Sequence, residues 1–223
     1  MHVVVNAAMS ADGKLSTHQR EQIAISGEAD FDRVDQLRAE SDAVMVGVGT
    51  VLADDPSLTL DDPERQRARE DRGQPPNPAR VVADSRVRTP PNARILDDEA
   101  LTYLLVSEAA PTDFVEQMED AGATVIATGE DRVDLVTALA KLEGDGVEQL
   151  MIEGGGEVIF SLFEHGLVDE LSVFVGPNVI GGRDAPTLAD GDGFVENFPS
   201  LELHDVEQLD DGVLLRWTVE DEA

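Results

Sequence analysis

Four groups of residues have the types and spacing to do chemistry. Glu153-Gly154-Gly155-Gly156 follows an apolar run, Leu150-Met151-Ile152, and leads into a stretch with apolar residues at Val158, Ile159, Leu162 and Phe163. Strand, glycine turn and helix together form an anion-binding arrangement. Glycine lets backbone approach a ligand, and the first helical N–H groups have no partner inside the helix. Gly155, Gly156, Glu157 and Val158 would present those groups to a phosphate. The same residues equally suit a tight turn with no ligand. Glu153, at the strand end, is either a substrate contact or a satisfied core carboxylate. Thr50 and Asp54 sit four apart and share a face of a short helical turn. Asp54 there either moves a proton or caps the turn. Ser85, Arg86 and Arg88 follow a strand end in a chain with few cations, and suit either a phosphate or the balancing of local acids. Arg38, on a helix, has Asp35 and Asp42 as alternative partners.

The elements that must position these residues alternate. Strands are expected over Val3–Met9, Asp42–Gly47, Arg80–Ala83, Leu101–Val106, Thr124–Ala127, Leu150–Glu153 and Glu170–Val175. Helices are expected over Glu28–Ser41, with Phe31, Val34 and Leu37 inward, over Thr112–Ala121, and over Arg132–Leu142, with Val133, Val136, Leu139 and Ala140 inward. Val48–Asp55 reads as a short helical turn ended by Pro56. Asp61–Pro78 is polar and proline-rich without apolar period, a surface excursion. Alternation of this kind implies crossover connections and a mostly parallel sheet. Leu201–Gln208 and Gly212–Val219 flank Asp210-Asp211-Gly212, a hairpin signal, so the C-terminal edge should be antiparallel with Trp217 in its core. Phe174, Val175, Val179 and Ile180 supply apolar edges that a partner could cover. Ala7 and Ala8, near the end of the first strand, leave room for a flat group.

Composition narrows the function. Sixteen Lys+Arg against 47 Asp+Glu give a net charge of −31 over 223 residues, with Lys14 and Lys141 the only lysines. That balance argues against a nucleic-acid partner, which would need cations for its phosphates. It suits a high-salt cytoplasm, where a Debye length of about 3 Å screens self-repulsion. Cysteine is absent, which excludes disulfides and thiolate chemistry. The start reads as a strand rather than a leader, and no apolar run is long enough to span a membrane, so a cytoplasmic location is expected. His2, His18, His165 and His204 lack ligand spacing and the acidic runs read as solvated faces, so no metal site is expected.

Four segments together resemble one family. They are Asn6-Ala7-Ala8-Met9-Ser10-Ala11-Asp12-Gly13-Lys14, Val46-Gly47-Val48-Gly49-Thr50-Val51-Leu52-Ala53-Asp54-Asp55-Pro56-Ser57-Leu58-Thr59, Val81-Val82-Ala83-Asp84-Ser85-Arg86-Val87-Arg88 with Pro91-Asn92-Ala93-Arg94, and Glu153-Gly154-Gly155-Gly156 with Gly166-Leu167-Val168-Asp169-Glu170-Leu171. The chain resembles the riboflavin-pathway pyrimidine reductases over nearly its whole length. The resemblance implies one domain, 1–223, with a dihydrofolate-reductase-like α/β fold: a mixed, mostly parallel sheet flanked by helices, with an antiparallel C-terminal hairpin. It also implies a homodimer. With no cysteine for the zinc site of the deaminase fused to the reductase in some members, the stand-alone archaeal and fungal form is expected. The implied reaction is reduction by NADPH at C1′ of 2,5-diamino-6-ribosylamino-4(3H)-pyrimidinone 5′-phosphate, opening ribose to ribityl. The alternatives are the deaminated 5-amino-6-ribosylaminouracil 5′-phosphate, a folate, or a nucleotide-binding module without catalysis.

By matching position, the resemblance implies cofactor contacts at Ala8, Thr50, Asp54, Ser85, Arg86, Val87, Arg88, Gly155, Gly156, Glu157 and Val158. Substrate contacts fall at Ser26, Arg38, Leu58 and Glu153, and catalytic roles at Asp54 and Glu153. Asp55 is expected to be structural. Two residues depart from the pattern. Glu157 places a carboxylate beside a phosphate and should point away. Asp61 stands where some relatives carry arginine, a loss that Lys14 or a second subunit would have to compensate.

Overall fold

The computed structural model describes residues 1–21 and 23–220. In chain order its elements are β1 (His2–Ser10), α1 (Glu28–Glu40), β2 (Ala43–Gly47), α2 (Val48–Asp54), α3 (Pro63–Asp71), β3 (Ala79–Ala83), β4 (Thr102–Val106), α4 (Thr112–Asp120), β5 (Ala123–Ala127), α5 (Leu135–Gly144), β6 (Gln149–Gly154), α6 (Gly156–Glu164), β7 (Glu170–Gly176), β8 (Leu201–Leu209) and β9 (Gly212–Val219). The nine strands form a mixed sheet. The chain divides into two compact units, one of Met1 and Asp35–Met151, the other of His2–Val34 and Ile152–Ala223.

The first unit carries the strand order β5-β4-β3-β2, all paired parallel. Its central strands are buried: all five residues of β2 and of β4 are inside and the middle three of β3, while the edge strand β5 is partly exposed. Continuous apolar strands of this kind are what a parallel sheet covered on both faces requires. α5 buries Leu135, Ala138, Leu139 and Leu142, the i, i+3, i+4, i+7 stripe of an amphipathic helix. The expected inward set was one step out of phase, since Val136 and Ala140 face solvent. Asp134 starts the helix by accepting the Thr137 N–H, and that cap, rather than Arg132, sets its beginning.

Asp61–Pro78 is not an unstructured excursion, because it contains α3. Asp62 caps the helix by accepting from the Glu64 N–H, with Pro63 in its first turn. The helix has no apolar stripe. It is held instead by Arg69, only 2% exposed, which donates to the carbonyls of Ala39, Ser41 and Pro75. A second buried cation, Arg80 of β3, is fully inside and gathers Thr102, the Asp97 carboxylate and the carbonyls of Asp97 and Ala100.

The second unit carries β1-β7-β9-β8, with β1 and β7 parallel and the last two pairings antiparallel. The expected hairpin is present, its turn made by Asp210 at φ 48°. Asp210 also accepts from the N–H groups of Ala29 and Asp30, capping α1. Phe31 on that helix is exposed rather than inward. Behind it Asp30 is buried and fixes Arg33, which donates on to Asn6 and Ser172. Phe174 is not an open edge either. It is 1% exposed, packed with Ile25 and Leu214, and Ile180 lies against the same cluster. Trp217 is only half-buried. No helix among the described residues is long and apolar enough to cross a membrane.

Candidate active site

In the first unit the chain leaves β2 at Gly47, an extended residue at φ −78° and ψ 152°, and enters α2 without a side-chain cap. Thr50 and Asp54 are both half-buried on α2. Asp55 ends the helix in the left-handed region at φ 42°. Its N–H returns to the Val51 carbonyl while its carboxylate accepts from the Arg94 N–H. That is the structural role expected for it. Leu58 is buried and also left-handed, at φ 54°, so its side chain belongs to the core. Arg38 is half-buried and donates to the Thr59 carbonyl. Asp61 gives its N–H to Asp35, and its side chain faces solvent.

The turn after β3 is built on Asp84, which is fully buried. One carboxylate oxygen accepts from the N–H of Arg88 and from the N–H and hydroxyl of Thr89. The other has no hydrogen-bond partner and lies 3.5 Å from Arg88 Nε. Ser85 spends its hydroxyl on the Val133 N–H and its carbonyl on Ser107. Val87 is buried at φ 52°, a left-handed conformation that costs a β-branched residue on the order of 1–3 kcal/mol. Arg86 and Arg88 are both exposed, but Arg88 already faces Asp84.

In the second unit Glu153 is half-buried one residue before the end of β6, and Gly155 follows at φ 96° and ψ 86°. A left-handed residue there requires glycine. α6 begins at Gly156 with no side-chain cap, so the amides of its first turn have neither a helical acceptor nor a capping side chain. Glu157 is exposed and Val158 half-buried. The loop before β8 comes back onto this turn. The Asp190 N–H donates to the Gly156 carbonyl, and a side chain at 156 would meet Asp190 Oδ2 at 2.7 Å and the Thr187 carbonyl at 2.9 Å. Thr187 holds the Asp190 carboxylate through its N–H and hydroxyl. The ring of Phe194 lies 5.0 Å from Phe160.

Ala8 packs against the Ile25–Phe174–Leu214 cluster, and Ser26 is half-buried. Lys14 donates one ammonium hydrogen to the Ala185 carbonyl. Beside it Asp12 accepts from the Ser10 hydroxyl and from the N–H groups of Ile180 and Gly181. Those bonds, the Ser10 one foremost, hold its carboxyl down to about 2.

The turn at Gly155 fits a pyrophosphate in its glycine conformation and its uncapped amides. The Asp190 carboxylate opposes, as a like charge beside Gly156. Sequence reasoning missed Asp190, Asp84 and the Asn6–Arg33–Asp30 set. Asp190 lies 34 residues from the glycine turn with no periodic signal. Asp84 was quoted within a motif without a role. Asp30 and Arg33, three apart on α1, were the detectable pair.

Residues 1–215 match the RibD C-terminal domain. The chain is 48% identical over 211 residues to the 2,5-diamino-6-ribosylamino-4(3H)-pyrimidinone 5′-phosphate reductase of Archaeoglobus fulgidus, covering 95% of this chain and 94% of that protein. It is 46% identical over 220 residues to the protein of the same name from Methanothermobacter thermautotrophicus, covering 98% of each. A solved structure of a pyrimidine reductase-like protein from Corynebacterium diphtheriae superposes with a TM-score of 0.87 at 19% identity, covering 99% of this chain and 92% of that one. That last likeness is one of fold.

Proposed function

This chain belongs to the RibD C-terminal domain family, and from that premise we propose that it reduces 2,5-diamino-6-ribosylamino-4(3H)-pyrimidinone 5′-phosphate, with NADPH as cofactor, in riboflavin biosynthesis. The observation that carries the reading is identity of 46–48% along nearly the whole length of two relatives that bear that one name. We take residues 1–223 to act as one reductase domain, cytoplasmic and homodimeric. The acidic surface supports a salt-rich interior: melting temperature should rise from low to molar KCl, and a fall would sink that part of the reading.

The cofactor supplies a hydride when bound, and the protein supplies everything else. Gly155, Gly156, Glu157 and Val158 hold the pyrophosphate through backbone N–H groups, because the first turn of α6 offers donors without a competing cap. Thr50 and Asp54 contact the cofactor from α2, with Ala8 as a flat surface. The turn Ser85–Arg88 takes the 2′-phosphate. Arg86 carries that contact, since the Arg88 guanidinium is already beside Asp84. Glu153, Ser26, Arg38 and the backbone at Leu58 orient the substrate. Asp54 delivers the proton taken up near C1′.

The test is loss of reduced-nicotinamide absorbance in molar KCl with three substrates in parallel. We expect turnover on the diamino compound. Turnover confined to the deaminated uracil or to dihydrofolate would redirect the assignment, and cofactor binding without turnover on any of them would reduce the protein to a binding module. Asp54→Asn should lower kcat by about 10²-fold or more if the carboxyl moves the proton. An Arg86→Ala variant that kept its preference for NADPH over NADH would refute that arginine's role.

A further inference from the structure

Asp84 is the first residue beyond β3, and it is wholly buried although Arg86 and Arg88, just after it, are exposed. Its backbone is pinned at both ends. The Asp84 N–H donates to the Leu105 carbonyl of β4, and the Asp84 carbonyl accepts from the Val87 N–H. One residue on, the Ser85 carbonyl accepts from the N–H and hydroxyl of Ser107, and the Ser85 hydroxyl accepts from the Val133 N–H. The chain then turns at Val87, left-handed at φ 52°. A β-branched residue does not adopt that conformation unaided. The Asp84 side chain closes the turn around it: Oδ2 accepts from the N–H of Arg88 and from the N–H and hydroxyl of Thr89. Those donors on one oxygen fix residues 84–89 as a single loop with Arg86 near its tip.

The other oxygen behaves differently. Among the described residues, Asp84 Oδ1 is the one buried side-chain polar atom without a hydrogen-bond partner. Buried polar atoms are nearly always paired, because an unpaired one has given up its hydration for nothing. Closing this turn takes one acceptor, which a neutral asparagine would also supply. The carboxylate instead keeps a second oxygen facing Arg88 Nε at 3.5 Å. That contact is an attraction between charges, strengthened because one partner lies out of water. The acceptor therefore serves the turn, and the charge serves Arg88.

We propose that Asp84 is a positioning residue for discrimination between the two nicotinamide dinucleotides. One oxygen shapes the turn that presents Arg86 to the 2′-phosphate, and the other holds the Arg88 guanidinium to one side. The inference rests on the reading of Ser85–Arg88 as the 2′-phosphate site and deepens it. It places the determinant of the preference on a fully buried side chain rather than on the arginines alone. The location suits the role: ligands of an open α/β sheet bind beyond the carboxyl ends of its strands, and this turn leaves the carboxyl end of β3.

The experiment measures the dissociation constants of NADP+ and NAD+ by calorimetry in molar KCl, for wild type, Asp84→Ala, Asp84→Asn and Thr89→Val. The two dinucleotides share every group except the 2′-phosphate. The ratio of their constants therefore isolates the turn, whereas a general loosening of the fold weakens both alike. Wild type should favour NADP+. Asp84→Ala loses both oxygens, and the preference should fall by about tenfold or more, NADP+ weakening while NAD+ holds. Asp84→Asn keeps the acceptor and drops the charge, so the turn survives, Arg88 is released, and the preference should be at least that of wild type. A wild type that binds the two dinucleotides alike overturns the 2′-phosphate site and this inference with it. A wild type that favours NADP+, with the preference unchanged in Asp84→Ala, overturns the role of Asp84 and leaves the site standing. An asparagine variant that falls as far as the alanine one overturns it too, because the acceptor would then not be what shapes the turn. Should Asp84→Ala not fold, Thr89→Val decides: it removes one bond to Oδ2 and should lower the preference by roughly two- to fivefold, and no change would refute the proposal.

Discussion

The two units share carboxylates that fasten loops, and the first adds buried cations to them. In the first, two buried arginines donate to carbonyls: Arg69 to Ala39, Ser41 and Pro75, and Arg80 to Asp97 and Ala100. In the second, carboxylates accept from N–H groups: Asp12 from Ile180 and Gly181, Asp190 from Thr187, and Asp210 from Ala29 and Asp30. Asp42 does the same in the first unit, accepting from Glu148 and Gln149, so the contrast lies in the buried cations. A chain with only 16 basic residues places two of them where no solvent reaches. A guanidinium offers five donors in a fixed fork and can satisfy several carbonyls at once, whereas a carboxylate can only accept. The lesson is that acid should loosen the loop that Asp12 holds, whose carboxyl is kept down to about 2.

That comparison can be broken most forcefully at Arg80. Arg80→Leu orphans the Asp97 and Ala100 carbonyls and the Asp97 carboxylate, and should cost about 3–5 kcal/mol, read by urea unfolding in molar KCl. Arg80→Lys should recover little of it, since a point charge cannot reproduce the fork. A loss below about 1 kcal/mol would show that the buried cation is dispensable. Next comes Gly27, where an added methyl would sit 2.6 Å from Asp210 Cγ. Gly27→Ala should cost about 1–3 kcal/mol, and Asp210→Ala about 1 kcal/mol through the lost cap on α1. In the double variant the clash disappears, so the two costs should fall well short of adding. Simple additivity by calorimetry would separate these two residues.

The smallest effect is the pH dependence of Asp12. Its folded carboxyl sits near 2, below the ordinary 3.8, so its contribution is complete above pH 4 and is lost as pH falls from there towards 2. The stability difference between wild type and Asp12→Asn should be constant above pH 4 and shrink below it. A difference that held steady down to pH 2 would place the Asp12 bonds outside the folding equilibrium.

Much of the fold was legible because its strands are short apolar runs between helical periods. β2, β3, β4, β7 and the hairpin appear where the pattern puts them. What stayed hidden was held by something other than an apolar stripe. α3 has a readable start in Asp62-Pro63 but is anchored by polar side chains, Arg69 to carbonyls, Arg65 to Asp35 and Gln66 to the Leu60 carbonyl, so a search for apolar period passes over it. α1 turns Asp30 and Arg33 inward and leaves Phe31 outside, because an ion pair with its own hydrogen bonds can be buried where a period of leucines is expected. The bulge in β8, between Leu203 and Asp205, cannot be read from alternation, since it is a break in alternation. At the candidate site the glycine turn was legible from Gly154 to Gly156. The loop that returns to it was not, because Asp190 reaches Gly156 through tertiary packing that leaves no mark on spacing.

Val87 has a consequence for the chain's future rather than its present. A buried valine held left-handed between two arginines is a position where random substitution can gain stability, since glycine or asparagine would relax the backbone by roughly 1 kcal/mol. A library selected purely for heat resistance should therefore drift at residue 87 early. If cofactor preference drifts with it, the tension in that valine is what keeps its neighbouring arginines aimed.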